Sequence, residues 1–357
     1  MNKDLYVVLM AGGAGVRFWP YSRNAKPKQF LDVLGTGKTL LQSTYERFLP
    51  ICLPENIFVV THEQHGKTVQ EQLPQLREDQ ILCEPMRKNT AACIAYASFK
   101  IASENKDAVI VVSPSDHLIL KEDAFLTVIS NAVVEAKDQK KLITLGITPT
   151  RPETGYGYIQ FHQENSFIKR VKTFTEKPEL ELAKTFIESG DFVWNGGIFI
   201  WGVHAIIDAY KKYLPEMAEV FDELIGGHQA NEKEALASTY SQCKSISVDY
   251  GILEKADNVF VCLGDYSWSD LGSWNSIHEI SKKDEQENVV DANALLYDTQ
   301  NSIIKGSKDK LIVVEGLDGY LVAEFDNVFI VCKKDNEAQF RKFVADVKSK
   351  PNAEKFL

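Results

Sequence analysis

The stretch from Leu5 to Leu31 constrains this chain more than any other. Tyr6 to Met10 is an apolar run rich in β-branched residues, which predicts a buried strand. Ala11, Gly12, Gly13, Ala14 and Gly15 follow directly. Residues this small let a backbone turn tightly and bring its N–H groups against a phosphate. Arg17, Arg23, Lys26 and Lys28 come next, and no acidic residue stands between Asp4 and Asp32. A strand, a glycine-rich turn and a run of cations together suit a polyanion such as a nucleoside triphosphate.

Two other phosphate-binding patterns are incomplete here. The dinucleotide fingerprint G-x-G-x-x-G finds Gly13 and Gly15, but Phe18 stands where its third glycine belongs. The P-loop pattern finds Gly37-Lys38-Thr39, but Asp32 occupies its first glycine position and no strong apolar strand leads in. Gly35 to Lys38 is therefore expected to be a surface turn.

The loop continues into a longer signature. Gly12-Gly13-Ala14-Gly15-Val16-Arg17-Phe18-Trp19-Pro20, then Ser22-Arg23, then Pro27-Lys28-Gln29-Phe30, resembles the signature of the sugar-nucleotide pyrophosphorylases. The Arg-Phe-Trp-Pro wording and the Pro-Lys-Gln-Phe ending are similar to the mannose-1-phosphate guanylyltransferase branch. The resemblance runs, motif after motif, over nearly the whole chain. It implies a Rossmann-like nucleotidyltransferase domain with a mixed, mostly parallel sheet, and a small C-terminal β domain, β-helix-like. Some members carry a further sugar-phosphate isomerase module after this point, and a chain ending at Leu357 is not expected to hold one.

Composition narrows the function classes. A net charge of −10 argues against nucleic acid as a partner, so any anion site must be local. The six cysteines are scattered without a C-x-x-C pair, as expected for small buried hydrophobes in a reducing compartment. The N-terminus runs straight into a strand, and no signal peptide or membrane span is visible, so a cytoplasmic location is expected.

Strand and helix patterns alternate through the first part. Strands are predicted at Ile57 to Thr61, Ala108 to Ser113 and Leu142 to Gly146, and helices at Leu40 to Phe48, His65 to Leu73, Ala91 to Ala102 and Ala124 to Lys137. Ligands of such sheets lie at the carboxyl ends of the strands. From Thr154 the texture changes to short alternating segments and further helices, and Gly197 to Trp201 reads as a strand. The polar run Ser281 to Asn288 is a candidate linker. Short strand-like pieces follow, and a final helix, Glu337 to Val347, carries Phe340, Phe343, Val344 and Val347 on one face. The domains expected are 1–287, catalytic, and 288–357, a β unit with a terminal helix.

Several residues can carry chemistry. Asp116, in Ser-Pro-Ser-Asp-His, and Asp270, in Trp-Ser-Asp-Leu-Gly, each follow a predicted buried strand. Two aspartates on one Mg2+ suit a hard cation that also takes phosphate oxygens, and either can equally cap a helix or turn. The resemblance assigns both to the metal. Arg17 and Lys28 are the candidate catalytic cations, because nucleotidyl transfer needs fixed positive charge where negative charge grows. Arg23 and Lys26 stand open between phosphate contact and surface.

Glu84 to Ala91 resembles the family's base-recognition segment, and a carboxylate there can accept from guanine N1–H and N2–H2. Lys88 stands where the family usually has Arg, and Ala92 where Pro is usual. Asn89 and Thr90 have a second reading as the cap of the helix starting near Ala91. On the resemblance, Gly12, Gly13 and Gly15 approach the nucleotide phosphates, while Gly157, Glu176, Lys177, Asn195 and Asp249 serve the sugar phosphate. Gly196 stands where the family often has Ser. His62 and His65 lack the spacing of a zinc helix and read as surface.

The expected activity is transfer of GMP from GTP to α-D-mannose 1-phosphate, giving GDP-mannose and pyrophosphate. The alternatives are a pyrophosphorylase for another sugar or nucleotide, a silent regulatory subunit that binds nucleotide sugars, and a Rossmann-type dehydrogenase. GTP, mannose 1-phosphate and Mg2+ are the expected ligands. No nucleic acid or membrane partner is expected, and a homodimer is compatible with the sequence.

Overall fold

The computed structural model describes residues 2–13, 18–138, 140–227 and 231–357. By contacts the chain divides into two compact units, neither a single run of sequence. The first comprises Met1–Gly12, Thr44–Ser115 and Ile119–Trp268; the second comprises Gly13–Ser43, Asp116–Leu118 and Ser269–Leu357.

The first unit is built on a nine-stranded sheet. From one edge its order is Ile81–Glu84, Ile57–His62, Leu5–Met10, Val109–Pro114, Phe192–Gly202, Leu142–Ile147, Val259–Leu263, Ile168–Glu176 and Gly157–Phe161. The first four strands are parallel, with Val7 opposite Ile57 on one side and Val111 on the other. The inner strands Ile57–His62, Leu5–Met10 and Val109–Pro114 are mostly apolar and almost wholly buried, as parallel strands covered on both faces must be, while the edge strand Ile81–Glu84 is half-buried.

The sheet is mixed, as expected, but not mostly parallel: parallel and antiparallel pairings are about equal in number. Phe192–Gly202 runs antiparallel to both of its neighbours in the order, and Ile168–Glu176 and Gly157–Phe161 form an antiparallel hairpin. Only Gly157–Phe161 and Ile168–Glu176 are joined by a short hairpin, whose length imposes antiparallel pairing; helices still connect Ile168–Glu176 to Phe192–Gly202 and Phe192–Gly202 to Val259–Leu263.

Two elements differ from expectation. The strand Phe192–Gly202 starts before Trp194-Asn195 rather than at Gly197. The helix Pro215–Gly226 is absent from the sequence reading, although Met217, Phe221 and Leu224 have helical spacing and Pro215 sits in its first turn. That helix packs with Asn89–Glu104, Val203–Tyr213 and Glu232–Gln242 through Phe99, Tyr210, Phe221 and Tyr240.

The second unit has a core of its own. Val289, Ile303 and Leu321 come from three strands paired in parallel, and Tyr320–Phe325 turns back antiparallel onto Val328–Lys333. Those residues bury Phe18, Trp19, Leu31 and Trp274, together with Phe340 and Val344 of the last helix, Glu337–Lys348. The helix Trp274–Ile280 thus belongs to this core although it precedes the polar run at 281–288. Its apolar residues find partners that lie far off in sequence, which composition alone does not reveal. All six cysteines are free. Among the described residues no helix is long and apolar enough to cross a membrane.

Candidate active site

Lys28 organises the chemistry of the second unit. Pro27 ends an extended segment, and the 3-10 turn Lys28–Phe30 buries the lysine side chain. Its Nζ stands 3.0 Å from Asp116 Oδ2 and donates to the main-chain carbonyls of Asp270, at 2.7 Å, and Leu271, at 3.2 Å. One buried ammonium therefore touches the Asp116 carboxylate and the main chain of Asp270, the two aspartates that the sequence reading pairs. Burial pushes the Asp116 carboxyl up, but the charges of Lys28 and His117 outweigh it and hold the group below its usual range. Gln29 Nε2 donates to the Gly13 carbonyl at 3.2 Å, and a Cβ on Gly13 would stand 3.9 Å from Asp116 Oδ2.

Asp270 also closes its own turn. Its Oδ1 accepts from the Gly272 amide at 2.9 Å, with Leu271 at φ 46° between them. Any side chain at 272 would collide with the Asp270 carboxylate. The turn-capping reading of Asp270 is thus realised. Asp116 and Asp270 offer only oxygen donors. No group of three or more acidic, histidine or cysteine ligands occurs among the described residues. That donor set fits Mg2+, which takes one or two carboxylates and completes its shell with water and phosphate oxygens. Gly15 and Arg17 lie outside the described residues.

Arg23 is tied into the protein itself. Its guanidinium donates to the carbonyls of Pro20, Phe325 and Lys355 and to Asn327 Oδ1, tying the segment after the glycine loop to the C-terminal residues. Lys26 is exposed. The Gly35 to Lys38 segment is an exposed turn, as expected, with Asp32 accepting from the amides of Thr36 and Gly37.

In the first unit, Glu84 ends a sheet strand and is buried. A Cβ on Gly12 would stand 3.7 Å from its Oε2, so the carboxylate and Gly12 are neighbours. Its Oε1 accepts from the hydroxyl of Tyr240 at 3.1 Å. Burial pushes the Glu84 carboxyl up to about 7, against the opposing pull of Tyr240 and Arg87. The helix after it begins at Asn89, which has φ 66° and accepts from the Thr90 amide through Oδ1 at 2.8 Å. Thr90 Oγ1 accepts from the Val248 amide at 3.0 Å. Asn89 thus does capping work, while Thr90 fastens the segment to residue 248.

The third group of residues is also in the first unit. Gly157, Glu176 and Asn195 crowd together: a Cβ on Gly157 would overlap the Glu176 carboxylate and come within 3.5 Å of Asn195 Cβ. Lys177 Nζ donates to Glu176 Oε2 at 2.8 Å, and Asn195 Nδ2 donates to Asp249 Oδ1 at 2.7 Å. Asn195 Oδ1 accepts from Thr144 Oγ1 at 3.2 Å and from the Gly197 amide at 3.1 Å, which sets the orientation of the amide. Burial pushes the Asp249 carboxyl up to about 6; Asn195 opposes this and Glu176 adds to it. A Cβ on Gly196 would stand 3.0 Å from the Leu145 carbonyl, so this backbone favours glycine where the family often has Ser.

Sequence reasoning missed Tyr240 and Thr144. Each lies inside an ordinary helix or strand pattern, and nothing local marks its hydroxyl as a partner for a distant polar group.

The family model for nucleotidyl transferases matches residues 6–287. The xanthan biosynthesis protein XanB of Xanthomonas campestris is 34% identical over 359 residues, covering 98% of this chain and 75% of that protein. A mannose-1-phosphate guanylyltransferase of Klebsiella pneumoniae is 33% identical over 365 residues, covering 98% and 75%. A solved structure from Thermus thermophilus, titled as a mannose-1-phosphate geranyltransferase, superposes with a TM-score of 0.87 at 31% identity, over 97% of this chain and all of that one. The glycine loop, the Lys28-bound aspartates and these likenesses agree that the chain belongs to the nucleotidyl transferase family, in the branch of the mannose-1-phosphate guanylyltransferases.

Proposed function

We propose that this enzyme transfers GMP from GTP to α-D-mannose 1-phosphate, giving GDP-mannose and pyrophosphate. The observation that carries the reading is the buried Lys28 ammonium shared by Asp116 and the Asp270 main chain. Nucleotidyl transfer asks the protein chiefly to align the reacting oxygens and to meet growing charge with fixed positive groups. On this reading a phosphate oxygen of the sugar attacks the α-phosphorus in line, and Arg17 and Lys28 stabilise the departing pyrophosphate. Asp116 and Asp270 would hold Mg2+, which supplies charge neutralisation at the phosphates when bound. Gly12, Gly13 and Gly15 let the backbone approach them.

Glu84, with Asn89 and Thr90 shaping its loop, reads the guanine edge. Gly157, Glu176, Lys177, Asn195 and Asp249 receive the sugar phosphate. Carboxylates and amides suit pyranose hydroxyls, and the Lys177 ammonium suits the phosphate. The parallel ladder through Val289, Ile303 and Leu321 supports a β-helix-like arrangement of residues 288–357, added as a module to the catalytic part at 1–287. We place the enzyme in the cytoplasm, where six free cysteines are at home, and suggest a homodimer as its working form.

The test is pyrophosphate release over a grid of GTP, ATP, UTP and dTTP against several sugar 1-phosphates. GTP with mannose 1-phosphate should show the highest kcat/KM. Equal values for GTP and ATP would remove the guanylyl assignment, and no turnover with any pair would point to a silent subunit.

A further inference from the structure

Tyr240 belongs to none of the motifs, yet the structure places its hydroxyl on the Glu84 carboxylate. The tyrosine sits near the end of the helix Glu232–Gln242 and is fully buried. Its ring stands edge-on to Tyr96 at 6.2 Å and to Phe221 at 5.7 Å, so it has little freedom to turn. The hydroxyl reaches Glu84 Oε1 at 3.1 Å and lies 3.5 Å from the Ala92 carbonyl. The other carboxylate oxygen, Oε2, is the one beside Gly12.

The same stretch grips the Glu84 to Ala91 segment elsewhere. The Ala91 amide donates to the Ile246 carbonyl at 3.1 Å, the Val248 amide donates to Thr90, and Lys88 Nζ reaches the Ser241 carbonyl at 3.5 Å. Residues 240–248 therefore brace the segment at several points, and among these contacts it is Tyr240 that touches the carboxylate that would read the base.

We propose that Tyr240 is a positioning residue for guanine selection. Its hydroxyl takes one of the four or so lone-pair sites of the Glu84 carboxylate, fixes the plane of that group and favours its accepting form, with Oε2 turned to the guanine N1–H and N2–H2. This rests on the reading of Glu84 as the base-recognising carboxylate. A buried carboxylate without this donor would be held less firmly and would take up a proton more readily, and a protonated acid presents a donor where guanine also presents donors. The charged or titratable groups around the pair are Arg87 and Cys93 beside Glu84, and Tyr96 beside Tyr240.

The experiment compares Tyr240→Phe, Glu84→Gln and the double variant. Tyr240→Phe keeps the ring contacts and removes only the hydroxyl. The readouts are kcat and KM for GTP, ITP and ATP with mannose 1-phosphate, from pH 6 to 9. The expected result for Tyr240→Phe is a rise of about 10-fold in KM for GTP, the scale of one hydrogen bond to a charged group, with most of the loss in KM rather than kcat. The acid limb of kcat/KM for GTP should move to higher pH, and the effect should largely vanish in the Glu84→Gln background. Wild-type KM and acid limb in Tyr240→Phe, with Glu84→Gln losing the preference for GTP over ATP, would overturn the role of Tyr240 and leave Glu84 as the base reader. A fall in kcat alone, with selectivity and pH profile unmoved, would also overturn it as a merely structural effect. Retention of the GTP preference in Glu84→Gln would overturn the underlying reading of Glu84, and this proposal with it.

Discussion

Asp116 in one unit and Asp249 in the other are both carboxylates set among protein groups, but they are held in opposite ways. Asp116 faces the full charge of Lys28 at 3.0 Å and stays below its usual range. Asp249 faces the neutral amide of Asn195 at 2.7 Å, and burial carries it up to about 6. Glu84, with a phenol as its partner, behaves like Asp249 and reaches about 7. A cationic partner keeps a carboxylate ionised at any working pH, which suits a group meant to hold a cation. A neutral partner leaves the carboxylate near its titration point, which suits hydrogen bonding to uncharged sugar hydroxyls or base edges and makes that binding sensitive to pH.

The largest test of this contrast removes the tail. A chain of residues 1–287 loses Ile303, Leu321, Phe340 and Val344, the packing partners of Phe18 and Trp274. The Lys28–Asp116–Asp270 cluster lies in that same compact unit, so activity should fall below detection and the melting transition should broaden or drop. Unchanged melting and turnover would show that the charge-paired site stands without this core.

Next come the charged groups themselves. Asp270→Asn should lower kcat by about 10²-fold or more, the scale of losing one preorganised electrostatic group, with the fold retained. Lys28→Ala should lose both rate and stability, because it leaves Asp116 without its counter-charge; breaking a buried pair costs about 3–5 kcal/mol, and less here, where Asp116 is partly exposed. Lys28→Arg should restore only part of the rate, since a planar fork does not replace a point charge. Turnover near wild type in either Asp270→Asn or Lys28→Ala would end the assignment, as measured by steady-state pyrophosphate release.

Gly157→Ala should have a smaller effect, confined to the neutral-partner site. The added methyl overlaps Glu176, so KM for mannose 1-phosphate should rise by roughly 10-fold while KM for GTP holds, in keeping with about 1–2 kcal/mol of displaced hydrogen bonding. Equal changes in both KM values would show that the residue does not serve the sugar alone.

The smallest expected effect is on stability against pH. The folded Asp249 carboxyl binds its proton more tightly than an unfolded one, with its pKa raised from 3.8 to about 6. Its contribution to stability therefore falls as pH rises from about 4 to about 6 and stays low above that. Asp249→Asn should accordingly melt higher than its parent above pH 6, by up to roughly 2 kcal/mol, and the gap should close toward pH 4. Calorimetry at both ends of that range decides it; a gap independent of pH would mean that Asp249 keeps an ordinary pKa.

Local pattern was a good guide where the apolar period within one stretch sets the element. Leu40–Phe48, Ile57–His62, Leu142–Ile147 and Glu337–Lys348 stand where periodicity puts them, to within a residue at their ends. The pattern was a poor guide where the partner is remote. Trp274–Ile280 looks like the end of the catalytic part and packs with the C-terminal strands, because its apolar face completes a core supplied by residues after 288. The direction of Phe192–Gly202 is set by neighbours remote in sequence, Val109–Pro114 and Leu142–Ile147, and side-chain alternation carries no sign of direction.

The family and its chemistry were legible in the linear order of the motifs, from the glycine loop through Lys28, Glu84 and Asp116 to Asp249 and Asp270. Those residue types suit what a phosphate, a cation or a sugar would meet on the proposed reading, and their kinds can be read without knowing the fold. Only the tertiary structure decided what each one leans on: Lys28 for Asp116, Tyr240 for Glu84, Thr144 and Asn195 for Asp249, and the C-terminal residues for Arg23. A side chain's pKa and orientation are set by the neighbours that exclude water from it. Those neighbours come from anywhere in the chain, so no local stretch of sequence can contain them.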